Sequence, residues 1–433
     1  YAFRRTQALK ILRLGSIGPS VQLLQLALER AGFGPITTDG IFGTATQYAL
    51  RRFQQANAIP VDGVAGSVTH RALLPWYTGF LIHTAARGDT FYSIAQRYGS
   101  TTAALTLANP DIDAASLMPG TPVVVPLPFD VVPTGIDYCA ALIGYCVRGL
   151  AARYPFIVTG EIGKSVMGRP LWCMSLGRGG NRVLYNASHH ANEWITTALL
   201  LKFTEELARA YASGGFIYGQ SAAELLDYAS LFIVPAVDPD GIDLVTGELT
   251  SGEYYEQAAA IAADYPQFAF PSGWKANIRG VDLNLQYPAG WEQAKANKAA
   301  QGIISPAPAD YVGASPLSAP ESRAMYDYTL SLDPALILAY HTQGEVIYWR
   351  FADFDPPGAE NIGRAFAQVS GYALEDTPFA SGFAGYKDWF IQSFDRPGYT
   401  IEAGRGQNPL PIGQLPGIYS ANLGILTLGA LVT

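Results

Sequence analysis

The sequence predicts an α/β domain over residues 130–433, preceded by two small modules, one helical and one of βααβ form. Three observations predict it. Beyond residue 130, apolar runs that read as strands (Val183–Tyr185, Leu231–Pro235, Ala335–Tyr340) alternate with helical patterns (Thr197–Tyr211, Glu321–Leu332). The first 76 residues hold an internal repeat with helical spacing around paired Asp-Gly turns. Residues 81–126 fit strand, helix, helix, strand. The expected boundaries are 8–76, 80–127 and 130–433.

Composition sets the limits. A chain of 433 residues suits two or three domains. With 49% hydrophobic and 15% charged residues it forms cores, which excludes wholesale disorder. A net charge of −8 argues against non-specific nucleic-acid binding. No apolar run reaches the length of a membrane span; Leu423 to Val432 is short and interrupted by Gly. Three cysteines, Cys139, Cys146 and Cys173, do not make a disulfide scaffold. On a helix the first two would lie about 10 Å apart, too far to bridge. The chain begins Tyr1-Ala2-Phe3 without Met, which reads as a trimmed or processed form, so the lack of a signal peptide carries no information.

In the first module, Asp39-Gly40-Ile41-Phe42-Gly43-Thr44-Ala45-Thr46 is echoed by Asp62-Gly63-Val64-Ala65-Gly66-Ser67-Val68-Thr69, and each copy runs on to an Ala-Leu pair. Val21, Leu24 and Leu28 form an amphipathic stripe before them, and Gln47 to Gln55 reads as a helix between them. This pattern resembles the peptidoglycan-binding domain. In the second module, Thr90 is a candidate N-cap after Gly88-Asp89, Asn109-Pro110 is a break, and Met118-Pro119-Gly120 precedes the strand-like Val123-Val124-Val125. These marks resemble a LysM domain, which implies binding to N-acetylglucosamine-containing glycan. Pro126–Pro133 reads as a linker.

The segment that carries chemistry is Ser188-His189-His190-Ala191-Asn192-Glu193-Trp194, directly after the strand-like Val183–Tyr185 and before a helix. Two residues between His190 and Glu193 let an imidazole and a carboxylate meet one ion, and catalytic zinc accepts two His and one Glu with a position open. The chain has 5 His. His70 and His83 fall in the small modules, where packing roles are expected. That leaves His341, at the end of the apolar run Pro334–Tyr340, as the third ligand.

The set resembles the zinc metallocarboxypeptidases, in which His-x-x-Glu is followed by an Asp-x-Asn segment, a distant His and a late-strand Glu. The resemblance implies a mixed, twisted central sheet flanked by helices and one zinc ion on His190, Glu193 and His341. It further implies that Asp282 orients His190, Asn284 meets a substrate carboxylate, Arg279 polarises the scissile carbonyl, and Glu402 in Gly398–Ala403 is the general base. Lys387-Asp388-Trp389 supplies the family's Asp-Trp landmark.

Two departures narrow this reading. Leu285 follows Asn284 where exo-acting members carry the Arg that grips a C-terminal carboxylate. The family's mobile Tyr would fall on Ala380; Tyr386 lies nearby. Together with Gly163–Pro170 and His341-Thr342-Gln343-Gly344-Glu345, these departures resemble the bacterial γ-D-glutamyl-meso-diaminopimelate peptidases. The expected function is zinc-dependent hydrolysis of the γ-D-glutamyl–diaminopimelate amide in cell-wall stem peptides. The implied partners are peptidoglycan glycan and stem peptide, with no nucleic acid, membrane span or protein partner. The implied location is secreted or wall-associated, alternatively a sporulating cell or spore wall. The competing readings are a general zinc exo-carboxypeptidase anchored to wall, a non-catalytic wall-binding protein, and a glycan-cleaving enzyme.

Overall fold

The computed structural model describes residues 10–379 and 381–432, so Ala380 and the residues before Lys10 lie outside the description. The chain divides into two compact units, Tyr1–Val158 and Thr159–Thr433.

In the first unit, the helices Pro19–Arg30, Thr44–Ala56 and Ser67–Thr78 build the repeat. Each copy turns on one glutamine. Gln25 Nε2 donates to Asp39 Oδ1 (2.8 Å), Ile41 O (3.1 Å) and Thr46 Oγ1 (3.1 Å), and its Oε1 accepts from Gly40 N (2.9 Å). Gln54 does the same with Asp62 (2.8 Å), Val64 O (3.0 Å), Thr69 (3.2 Å) and Gly63 N (2.9 Å). Both glutamines are buried, so each must satisfy its whole amide inside the protein, and the Asp-Gly turn supplies the partners. The two module histidines are structural: His70 bonds Tyr77 Oη and Lys10 O, and His83 bonds Asp89 and Tyr98.

Strands β1 (Phe80–Thr84) and β2 (Pro122–Pro126) pair antiparallel, with the helices Phe91–Tyr98 and Thr102–Ala108 between them in sequence. Thr90 caps the first helix: its Oγ1 accepts from Ser93 N, while Ser93 Oγ accepts from Thr90 N. The Asn109 side chain ties the second helix to β2 by bonding Leu105 O, Val124 O and Val124 N. The helix Ala140–Arg153 packs in this unit. Tyr145 stacks on Tyr77 at 5.2 Å, and any side chain at Gly149 would collide with Thr78 O. The two compact units meet at Val158/Thr159.

The second unit is built on an eight-stranded sheet. Its strands are β3 (Val158–Lys164), β4 (Pro170–Leu176), β5 (Asn181–Ala187), β8 (Ala229–Val234), β9 (Leu336–His341), β10 (Val346–Tyr348), β11 (Ala373–Glu375) and β12 (Gly398–Glu402). A two-stranded ribbon, β6 (Phe216–Ile217) with β7 (Gln220–Ser221), stands apart. The sheet order is β11-β10-β12-β9-β5-β8-β4-β3. Strands β8, β5, β9 and β12 run parallel, while β10 and β4 run antiparallel to β12 and β8. The sheet is thus mixed, as expected. Every residue of β9 is buried, which a central parallel strand covered on both faces requires. One face packs on Tyr386, Trp389 and Phe390 of the helix Tyr386–Phe394. On the other, Tyr185 Oη reaches Leu426 O in the helix Leu415–Leu428. The three cysteines are free.

Candidate metal centre

Strand β5 ends at Ala187, and the chain turns through Ser188, whose φ is +52°. The buried Ser188 hydroxyl contacts Thr196 and Thr197 at 3.1 and 2.8 Å, pinning the loop to the start of the helix Ile195–Ser213. Two more bonds hold the loop from outside: Asp238 N donates to Ser188 O, and Ala191 N donates to Lys275 O. His190 and Glu193 then face His341 from the end of β9.

Three donor atoms converge. His190 Nδ1 lies 2.9 Å from Glu193 Oε1, His341 Nδ1 lies 2.8 Å from Glu193 Oε2, and the two Nδ1 atoms are 3.0 Å apart. His190 Nε2 faces Asp282 Oδ1 at 3.1 Å, which makes Nε2 the protonated nitrogen and leaves Nδ1 bare. Bare nitrogens and a carboxylate aimed at one point suit a cation. With bonds of about 2.0–2.1 Å, zinc would hold such donors roughly 3.3 Å apart. The donor set therefore fits zinc: two imidazoles, one carboxylate and room for a further ligand.

Charge around the centre is tightly coupled. Burial alone would raise Glu193, but the His190 and His341 rings outweigh it and hold the carboxyl well below the usual range. Asp282 is likewise depressed, by His190 and Lys275 against burial. Burial lowers His190, yet Glu193 and Asp282 overcome it and raise the ring to about 9. Glu402 sits beside His341 because β12 and β9 pair in register there. Burial and then the like charge of Glu193 push its carboxyl up to about 8, against the pull of Lys275 and His190. Arg405 pairs with Glu345 at 2.6 Å, not with Glu402, which leaves that carboxylate to the site.

The other residues singled out from sequence divide. Asn284 Oδ1 accepts from Tyr386 N at 2.9 Å, which leaves its Nδ2 without a bond to a described residue. Arg279 is the exposed tip of a turn held by Asn277, whose Oδ1 accepts from Arg279 N and Val281 N. It lines a cavity of about 530 Å³ with Val166, Gln257, Asn277, Val281 and Tyr311, a cavity whose walls include none of the three ligands nor Glu402. Leu285 packs with Trp291, Val312 and Ala384. Tyr386 is fully buried and its hydroxyl bonds Thr329, so it is no mobile group. His189 is not a ligand: its Nε2 meets Tyr287 Oη at 2.9 Å, and burial keeps the ring neutral.

Sequence reasoning missed Lys275. Burial alone would lower its ammonium, but Asp282, Glu193, Asp310 and Glu402 together raise it. It makes no direct ion pair among the described residues, so it is a cation held in the site's field without a dedicated partner. The available signal was a lone lysine between Trp274 and Ala276, both buried.

A mixed eight-stranded sheet with a His-Glu-His centre at its strand ends and a carboxylate alongside defines a metallopeptidase of carboxypeptidase type. The zinc carboxypeptidase family model matches residues 145–422, the peptidoglycan binding domain 17–73 and the LysM domain 83–126. The chain belongs to the zinc carboxypeptidase family. It is 43% identical over 283 residues to gamma-D-glutamyl-L-diamino acid endopeptidase 1 of Lysinibacillus sphaericus, covering 65% of this chain and 69% of that one. It is 41% identical to the protein YqgT of Bacillus subtilis (strain 168), covering 65% and 73%. In fold it resembles thrombin-activatable fibrinolysis inhibitor, with TM-score 0.54, 16% identity, 74% of this chain and 90% of that one. It also resembles carboxypeptidase A from Helicoverpa armigera, with TM-score 0.50, 16% identity, 82% and 99%. Zinc is the cofactor of this family, and the two front domains imply association with cell wall. No helix among the described residues is long and apolar enough to cross a membrane.

Proposed function

We propose that this protein is a peptidoglycan endopeptidase that hydrolyses the amide between the γ-carboxyl of D-Glu and meso-diaminopimelate. The observation that carries the reading is Leu285. It is buried in an apolar cluster at the position where exo-acting relatives present a guanidinium, so no charge clamp for an ordinary C-terminal carboxylate stands there. The relative from Lysinibacillus sphaericus, whose name specifies that bond, supports it.

His190, Glu193 and His341 would hold the ion, and Asp282 would fix the His190 tautomer. Zinc, when bound, supplies Lewis acidity that acidifies water and polarises a carbonyl. Glu402 takes the proton from the attacking water and returns it to the leaving diaminopimelate amine. Its position beside His341 suits both transfers. Lys275 is assigned the task that the resemblance gave to Arg279: its ammonium feels the charges of Asp282, Glu193 and Glu402, and it can stabilise negative charge developing on the carbonyl oxygen. Asn284 Nδ2 is assigned a substrate carboxylate, and Arg279 keeps only a substrate-side role in its own cavity.

The front domains raise the local concentration of enzyme on its polymer, so modest affinities suffice. We place the action at the wall, with the spore wall as a specific setting. A match of 38% identity over 81 residues to the spore cortex-lytic enzyme of Bacillus cereus supports that setting. Mass spectrometry of products from a defined muropeptide tests the bond. The expected cut separates D-Glu from diaminopimelate; release of only a C-terminal residue overturns the reading.

A further inference from the structure

We infer that Glu375, together with the Tyr348 hydroxyl, forms the subsite that receives the distal ammonium of the leaving diamino acid. The inference rests on the proposed scissile bond and adds the residues that select the group beyond it.

Strand register carries the argument. Paired residues on neighbouring strands point to the same face of a sheet. His341 pairs with Glu402, Glu402 with Val346, and Val346 with Ala373. The next row on that same face, two residues deeper, is Ala339, Thr400, Tyr348 and Glu375. A metal ligand, the proposed base, a phenol and a carboxylate thus share one face of four adjacent strands. Leu374, between the two β11 residues of this face, points the other way and packs on Gly363 of the helix Ala359–Ser370.

Electrostatics agree with the register. Tyr348 is half-buried, and after burial itself the carboxylates of Glu402 and Glu375 are what raise its hydroxyl. Its phenol therefore stands in the field of both acids. Its hydroxyl has no hydrogen-bond partner among the described residues. Glu375 is exposed and makes no ion pair among the described residues. The cations of adjoining segments are committed elsewhere, Arg350 to Asp376 and Lys387 to Asp388, each at 2.7 Å. The face beneath Glu402 thus ends in a negative charge with no internal counter-ion.

Spacing fits a long leaving residue. Strands about 4.8 Å apart put β11 roughly 10 Å from β12, and one row is roughly 7 Å along the strand. Ala339 and Thr400 are buried, but Val346 and Tyr348 are half-buried and Ala373 and Glu375 exposed, so a residue whose scissile nitrogen leaves at Glu402 can extend its methylenes across the β10 and β11 part of this face. The distal ammonium there meets Glu375 and can donate to the Tyr348 oxygen; a leaving residue without that ammonium leaves the Glu375 carboxylate unpaired.

The test uses the full-length, zinc-loaded protein and two substrates of equal length, γ-D-glutamyl-diaminopimelate and γ-D-glutamyl-2-aminopimelate, which differ only in the distal amino group. The readout is the ratio of their kcat/KM values. Glu375→Gln should lower the preference for the diamino substrate about tenfold, the scale of one partly solvated ion pair, through KM. Tyr348→Phe should lower it about threefold, and Glu375→Lys should shift preference toward a leaving residue with an acidic side chain. An unchanged ratio in Glu375→Gln with zinc content intact overturns the subsite while leaving the proposed bond standing. A wild-type protein that cleaves neither γ-glutamyl substrate overturns the proposed bond, and the subsite with it.

Discussion

The glutamine-centred turns of the first unit and the metal centre of the second are both buried polar clusters, built on opposite principles. Around Gln25 and Gln54 each amide atom finds a partner, twice over in two copies. Around His190 and His341, the two Nδ1 atoms crowd to 3.0 Å beside one carboxylate, and His189 Nδ1, Asn192 Oδ1 and His341 Nε2 are buried without partners among the described residues. A satisfied cluster stabilises its fold. An unsatisfied one costs stability and persists where a ligand completes it. Incomplete hydrogen bonding thus separates these two clusters where burial does not, although it is not confined to the site: Tyr340 Oη and Asn422 Oδ1 are also buried without partners.

The contrast can be broken most directly at the ligands. His341→Ala should lose stoichiometric zinc and all measurable hydrolysis, whereas Glu402→Gln should keep zinc and lose about 10³-fold in kcat. Metal analysis beside single-turnover rates separates the two, and full activity in either variant removes that residue from its role. Next in size is Lys275→Met, expected to cost about 10²-fold in kcat with zinc retained, as for loss of one oxyanion-stabilising group. Arg279→Ala should change kcat less than about threefold, because its cavity excludes the ligands and Glu402. The reverse ranking would restore Arg279 as the polarising cation.

Stability changes should be smaller and should track satisfaction. Glu321 is buried, accepts from Val166 N and Asn277 Nδ2, and is raised by burial to about 7. A carboxyl raised in the folded state contributes fully below its unfolded value and loses that contribution as pH rises through the folded value. Unfolding free energy should therefore fall between about pH 5 and pH 8 by up to about 3 kcal/mol, and Glu321→Gln should flatten the fall. A slope unchanged in that variant would assign the pH dependence to other groups. Gln54→Ala should destabilise the first unit by about 2 kcal/mol, measured by urea unfolding, while zinc content stays unchanged. A negligible effect would mean that the turns hold without the glutamine.

Much of this was legible in local spacing. The Asp-Gly repeat, the Thr90 cap and the Asn109-Pro110 break all mark short-range geometry, and each has its structural counterpart. Strand positions shifted by one or two residues: Leu231–Pro235 became Ala229–Val234, and Ala335–Tyr340 became Leu336–His341. Arg279 lines a cavity apart from the three candidate ligands, because proximity to Asp282 in sequence says nothing about which side of a turn a side chain takes. Lys275 was overlooked because its significance lies in Glu193, Asp282 and Glu402, which are distant in sequence.

By itself, then, the sequence determined the module order and the α/β class and pointed to His190, Glu193 and His341, which the fold brings together as a group able to hold a metal, because motif spacing encodes local backbone geometry. Tertiary structure alone decided which cation faces the centre, that Asn284 spends its carbonyl on Tyr386, and that Tyr348 and Glu375 share a face with Glu402. Those outcomes depend on strand neighbours that are not consecutive in the chain, and the pairing of β12 with β9 and β10 is fixed only when the whole sheet assembles.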